Sequence, residues 1–178
     1  MICSDLEFDQ LGRLFRHQQN FSSVIYNIFC SWNTGSSMET KKNVTSPKSH
    51  KKASTVLNAL LIEDDRICRI ALAYLLKDCG YSVDIAANGA AALDFLQKNT
   101  YSLVFADIGL PDISGIEIIK RLRGDPRHKS TLVIGQSAHM DKTLKTQCIA
   151  SGCDAVLSKP VMQETLKTTL DFIGANKK

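Results

Sequence analysis

Four continuous apolar runs, each leading to a polar residue, constrain this chain more than any other feature. Leu60-Leu61-Ile62 runs into Glu63-Asp64-Asp65, Leu103-Val104-Phe105-Ala106 into Asp107, Leu132-Val133-Ile134 toward Ser137, and Ala155-Val156-Leu157 toward Lys159. Apolar side chains on successive residues suit parallel strands buried on both faces between helices. The polar residues then sit where the strands emerge, and ligands of open α/β sheets bind at those carboxyl ends. Residues distant in sequence can therefore converge on one acidic site that calls for a cation.

From residue 56 onward the pattern alternates strand and helix five times, which predicts a parallel sheet. The strands are expected at Val56 to Ile62, Val83 to Ala86, Tyr101 to Ala106, Thr131 to Gln136 and Ala155 to Leu157. Ile67, Ile70, Ala71, Tyr74 and Leu75 give the first helix its apolar stripe, and Gly80 stops it. A second helix is expected over Ala90 to Gln97 after an Asn88-Gly89 turn. A third carries Ile116, Ile119 and Leu122 and ends before Gly124. A fourth runs from about Asp141 to Ala150, and a terminal helix carries Leu166, Leu170 and Ile173.

The first 52 residues differ in character. Asn33 to Thr55 is crowded with Ser, Thr, Lys, Asn and Gly, the composition of a linker or disordered tether. Upstream, Leu6, Phe8, Leu11, Leu14 and Phe15, then Phe21, Val24, Ile25 and Ile28, recur at roughly helical spacing. Two readings stand for this stretch: a docking element for a partner, or a marginal extension with Met38 as an alternative initiator. The domain division expected is 1–52 as extension and linker and 53–178 as the folded domain. The formal charge of +4 lies mainly in the first part, with 7 Lys/Arg against 4 Asp/Glu. The remainder, with 15 against 14, is nearly neutral, which argues against a nucleic-acid surface built by the core.

The six cysteines form no CxxC pair, and no His spacing suits zinc, so free thiols in a reducing compartment are expected. Cys68, Cys79 and Cys148 fall in or at the end of helices, where a small buried hydrophobe is the usual role. No apolar run reaches the ~20 residues of a membrane span, and the first residues carry no secretory pattern. A cytoplasmic protein without membrane contact is the expectation.

Taken together, Leu60-Leu61-Ile62-Glu63-Asp64-Asp65, Phe105-Ala106-Asp107-Ile108-Gly109-Leu110-Pro111-Asp112-Ile113-Ser114-Gly115, Ser137-Ala138 and Leu157-Ser158-Lys159-Pro160 resemble, in order and spacing, a receiver domain of a two-component response regulator. The resemblance covers residues 56 to 176, about two thirds of the chain. It is most like the receivers of hybrid histidine kinases. It implies a flavodoxin-like, doubly wound (βα)5 sheet of strand order 2-1-3-4-5. That order sets strands one and three side by side at the topological switch point and brings Asp64 next to Asp107. Carboxylates gathered there repel one another, and a hard divalent cation with oxygen ligands relieves them; magnesium fits best.

By resemblance, Asp64, Asp107 and the Gly109 carbonyl bind the metal directly and Glu63 acts through water. Asp107 is the phosphoacceptor, taking a phosphoryl group from a phosphohistidine on a histidine kinase or phosphotransfer protein. Lys159 offsets charge on the phosphoryl group, Ser137 donates its hydroxyl and reports arrival, and Lys159-Pro160 is a cis peptide. The protein is expected to be no enzyme beyond self-phosphorylation and slow autodephosphorylation. His139 reads as a loop residue and His17 as a surface one.

One departure stands out. Where the family often has Tyr or Phe, three residues before the lysine, this chain has Val156, whose single stiff torsion carries no ring to swing. The chain leaves no room after the last helix for an output domain, so output through a partner is expected. Each site residue taken singly has a plainer role, as a strand end, a cap, a loop hydroxyl or a surface charge. The rival function is a phosphorylation-independent adaptor using the fold as a platform. A phosphatase reading is weaker, since Gly109 stands two residues after Asp107, where a general acid would be needed.

Overall fold

The computed structural model describes residues 57–176. The expected extension over 1–52 with its short helices, the linker, His17, Cys3, Cys30 and the strand start at Val56 all lie outside the described residues. Within them the chain alternates β1 (Leu57–Ile62), α1 (Arg66–Asp78), β2 (Tyr81–Ala86), α2 (Gly89–Lys98), β3 (Leu103–Asp107), α3 (Gly115–Gly124), β4 (Leu132–Ser137), α4 (Lys142–Ser151), β5 (Ala155–Ser158) and α5 (Gln163–Asn176). The five strands form one parallel sheet in the order β2-β1-β3-β4-β5, as expected.

The core forms on both faces of that sheet because strand side chains alternate between them. Leu60, Ile62, Val104, Ala106 and Val133 pack against Ala92, Leu96, Ile118, Ile119, Leu122 and Cys148 of α2, α3 and α4. Ala59, Leu61, Leu103, Phe105 and Ile134 pack against Leu72, Ala73, Leu75, Leu76, Leu166 and Ile173 of α1 and α5. Central β3 is buried along its whole length. Edge strand β5 departs from the expectation of burial on both faces: Ala155, Val156 and Leu157 are half-buried, since it has a neighbour on one side alone, and Ile85 of β2 at the other edge is exposed.

Other expectations need correction. Helix α1 buries Leu72, Ala73, Leu75 and Leu76, whereas Tyr74 is exposed and Ile67, Ile70 and Ala71 are half-buried. The uninterrupted apolar run from Ile70 to Leu76 gave no polar residue to fix the helix phase. Helix α3 includes Gly124 and is followed by a 3-10 turn at Pro126–His128. Cys148 and Cys153 are buried, but Cys68 and Cys79 are half-buried.

Helix starts are fixed locally. Asp65 accepts from the backbone N–H groups of Ile67 and Cys68, Asn88 from Ala91, and Asp141 from Leu144. The α4–β5 junction turns on Gly152, whose φ of 109° lies in the left-handed region. Arg123 braces that junction by donating to the carbonyls of Gly152 and Thr131 and to the Asp154 carboxylate, each at 2.8 Å.

Candidate functional site

Parity along the strands assembles the site. Glu63, Asp107 and Lys159 continue the alternations Ala59-Leu61-Glu63, Leu103-Phe105-Asp107 and Ala155-Leu157-Lys159, whose apolar members all face α1 and α5. Beyond the sheet edge the same alternation presents polar groups instead of core. Glu63 is 0% exposed and Asp107 5% exposed, while Asp64, at the opposite parity, is open to solvent. Carboxylate oxygens of Glu63, Asp64 and Asp107 lie within 4.8 Å of one another.

Lys159 reaches this cluster from β5. Its Nζ lies 2.8 Å from each Glu63 carboxylate oxygen and 2.6 Å from Asp107 Oδ2. The Lys159-Pro160 peptide is cis, and the Lys159 backbone N–H donates to the Ser137 carbonyl at 2.9 Å. Burial works against the Lys159 charge, but hydrogen bonds to Asp107 and Glu63 outweigh it and hold the ammonium above the usual lysine range. Burial pushes the Glu63 carboxyl up, and the Lys159 contact offsets part of that rise.

The backbone contributes donors as well. Gly109 N–H donates to Asp107 Oδ1 at 2.8 Å, which places the solvent-facing Gly109 beside the aspartate. Gly115 lies against the carbonyl of Asp107: a Cβ there would stand 2.2 Å from that oxygen, so the start of α3 and the end of β3 touch backbone to backbone. Ser137 sits at the end of β4 with opposite parity, and its hydroxyl is weakly held by His139, donating to the His139 carbonyl at 3.4 Å and accepting from its N–H at 3.3 Å. The hydroxyl is thus near the strand ends but outside the tight contact of the carboxylates with Lys159.

Several participants escaped the sequence reading. Asp65, third of the acidic triplet, spends its carboxylate capping α1. Arg69 donates to the backbone carbonyls of Glu63 and Asp64 at 2.8 and 2.9 Å and fixes the turn that carries them. Asp112 accepts from the N–H groups of Gly89 and Ala90, both at 2.9 Å, tying the loop after β3 to the start of α2. Gln136, fully buried, donates from Nε2 to Glu63 Oε2 at 2.6 Å. Gln136 lies just past the apolar run Leu132-Val133-Ile134, at the polar end of β4 beside Ser137, and its side chain faces α1 and α5 by strand parity.

An oxygen-only donor set of three carboxylates, one of them facing solvent, suits a hard divalent cation such as Mg2+. The lysine offers a compact positive charge for phosphate oxygens. Asp107 is both shielded and reachable at a strand end, where a nucleophile of an α/β sheet would be placed.

The response regulator receiver domain profile matches residues 59–171. Response regulator Rre1 of Synechocystis is 35% identical over 112 residues, 62% of this chain and 48% of that protein. The aerobic respiration control sensor ArcB of Escherichia coli is 38% identical over 106 residues, 59% of this chain and 14% of the sensor. The chain thus spans about half the length of one relative and a small part of the other. Among solved structures, chemotaxis response regulator CheY4 of Vibrio cholerae superposes with a TM-score of 0.63 at 29% identity, covering 67% of this chain and 99% of that one. The chain belongs to the response regulator receiver domain family of two-component signalling.

Proposed function

We propose that the protein accepts a phosphoryl group on Asp107 from a phosphohistidine, in a magnesium-dependent phosphorelay, and signals through protein contacts. One observation carries this: the carboxylates of Glu63, Asp64 and Asp107, two of them shielded from solvent, meet the Lys159 ammonium where three strands end. An Asp107 oxygen attacks phosphorus, the new P–O bond forms as the P–N bond breaks, and the departing imidazole takes up a proton and leaves neutral. Asp64, Asp107 and the Gly109 carbonyl would hold Mg2+, with Glu63 acting through water. When bound, the cation offsets charge on the oxygens of the transferring group.

Lys159 already spans Glu63 and Asp107, so a short movement of its ammonium brings it onto a phosphoryl oxygen. The weakly held Ser137 hydroxyl is available as a further donor, and the Ser137 carbonyl's bond to Lys159 N–H links β4 to that event. Val156 is half-buried against the α2–α4 core, which favours readout through the loop after Ser137 and the start of α4 over an aromatic swing. The partner supplying phosphate would be a histidine kinase or phosphotransfer protein. Among the described residues no helix is long and apolar enough to cross a membrane, and we place the protein in the cytoplasm as a phosphoacceptor and not an enzyme.

The test is incubation with acetyl phosphate, with and without Mg2+, reading intact mass for wild type and Asp107→Asn. A phosphate-sized gain that needs both Mg2+ and Asp107 is expected. No gain under any condition would overturn the proposal and favour the adaptor platform.

A further inference from the structure

We infer that Gln136 is a positioning residue that holds Glu63 for the cation and frees Lys159 to move. This rests on the reading of the acidic cluster as a Mg2+ site. Gln136 pairs in register with Asp107, and Ala106 with Ile62, the residue before Glu63. Glu63, Asp107 and Gln136 thus form one row across β1, β3 and β4 on the face toward α1 and α5. Along that row the Gln136 amide spans β3 and donates to Glu63 Oε2 at 2.6 Å, with both side chains fully buried.

The geometry assigns the amide a purpose other than stability. Its Oε1 is buried with no hydrogen-bond partner among the described residues, so half of the group is left unsatisfied there. An apolar side chain of like volume would avoid that penalty, whereas only a donor can grip Glu63. Among the described residues the remaining holds on the Glu63 carboxylate are Lys159 Nζ, at 2.8 Å from each oxygen, and the Asp65 N–H at 3.3 Å from Oε1. Lys159 is the group that must turn toward the phosphoryl oxygens. Once it does, Gln136 is the short side-chain bond that keeps Glu63 aimed at the cation. Partners of this kind, one step removed from a metal, commonly set affinity by 10- to 100-fold.

The experiment compares wild type, Gln136→Met and Asp107→Asn by calorimetric Mg2+ titration and by melting temperature at a series of Mg2+ concentrations. Methionine keeps the length and packing of glutamine without the donor; Gln136→Leu serves as a second variant should methionine fail to fold. We expect Gln136→Met to melt near wild type without Mg2+ and to bind Mg2+ roughly 10-fold more weakly. If Gln136→Met binds Mg2+ as wild type does while Asp107→Asn loses affinity, the role of Gln136 is refuted and the site reading stands. A melting point lowered equally at every Mg2+ concentration would make Gln136 structural only and also refutes the role. If wild type itself binds no Mg2+, the site reading fails and this inference with it.

Discussion

Alanine at Gly115 should destabilise the protein, whereas alanine at Gly124, at the other end of α3, should not. A Cβ at Gly115 would lie 2.2 Å from the Asp107 carbonyl oxygen, 2.8 Å from Ile108 Cα and 3.0 Å from Asp107 C. Ordinary van der Waals contact begins near 3.4 Å, about 1.2 Å beyond the first of these. All three atoms are backbone, and the β3 end is pinned: Asp107 pairs with Gln136, and Ile108 N–H donates to the Gln136 carbonyl at 2.9 Å. Relief must therefore come from lifting the start of α3, which strains the 3.2 Å bond from Gly115 N–H to the Ile108 carbonyl. Overpacking costs about 1–3 kcal/mol and a weakened hydrogen bond about 1 more, so Gly115→Ala should lose roughly 2–4 kcal/mol. For a domain of this size that is a drop of about 8–16 °C in melting temperature. At Gly124 a Cβ meets nothing within 4 Å and the backbone is not left-handed, so Gly124→Ala should be neutral or gain up to about 1 kcal/mol from helix propensity. Urea denaturation of both variants, with phosphorylation of the Gly115 variant by acetyl phosphate, makes the test. Equal stability of Gly115→Ala and wild type, or an equal loss in both variants, would refute the backbone-contact reasoning.

Lys159→Met strands two buried carboxylates without their cation, and should cost about 2–3 kcal/mol in metal-free buffer, somewhat below the full cost of breaking a buried pair because the lysine is 19% exposed. Urea melts with and without Mg2+ check this, with partial recovery expected when Mg2+ is present. The acid limb of stability should carry Asp125, whose carboxyl is held down to about 2 by the Arg127 guanidinium and backbone N–H. Because the folded value is depressed, its contribution is present above the ordinary carboxylate range near ~4 and is lost as pH falls toward 2, so Asp125→Asn should flatten the melting-temperature profile across that window. Burial pushes the thiol of Cys68 up to about 11 and that of Cys153 up to about 12. Iodoacetamide at pH 8 should therefore label these two far more slowly in the folded protein than in urea, as read by peptide mass; rapid native labelling of Cys153 would contradict its burial.

The amino-acid sequence alone determined the strand count, the parallel sheet and the residues of the acidic site. Buried parallel strands must be apolar on consecutive positions, so Glu63, Asp107 and Lys159 stand out where those runs end. The cap roles of Asp65, Asn88 and Asp141, by contrast, became visible with the structure, although the N–H groups they accept from lie only two or three residues away. Tertiary structure alone decided what spans strands. Gln136 bonding to Glu63 across β3, Asp112 capping α2 from 23 residues away, Arg123 bracing the turn before β5, and the backbone contact that demands glycine at 115 depend on which strands are neighbours and in what register. The phase of α1 was likewise settled by packing, since a run of seven apolar residues offers several possible faces and only the sheet selects one. Periodicity reports what lies within one element. The partner a polar side chain finds across elements is set when the sheet closes, because a buried donor or acceptor must be satisfied by whatever the fold brings within about 3 Å.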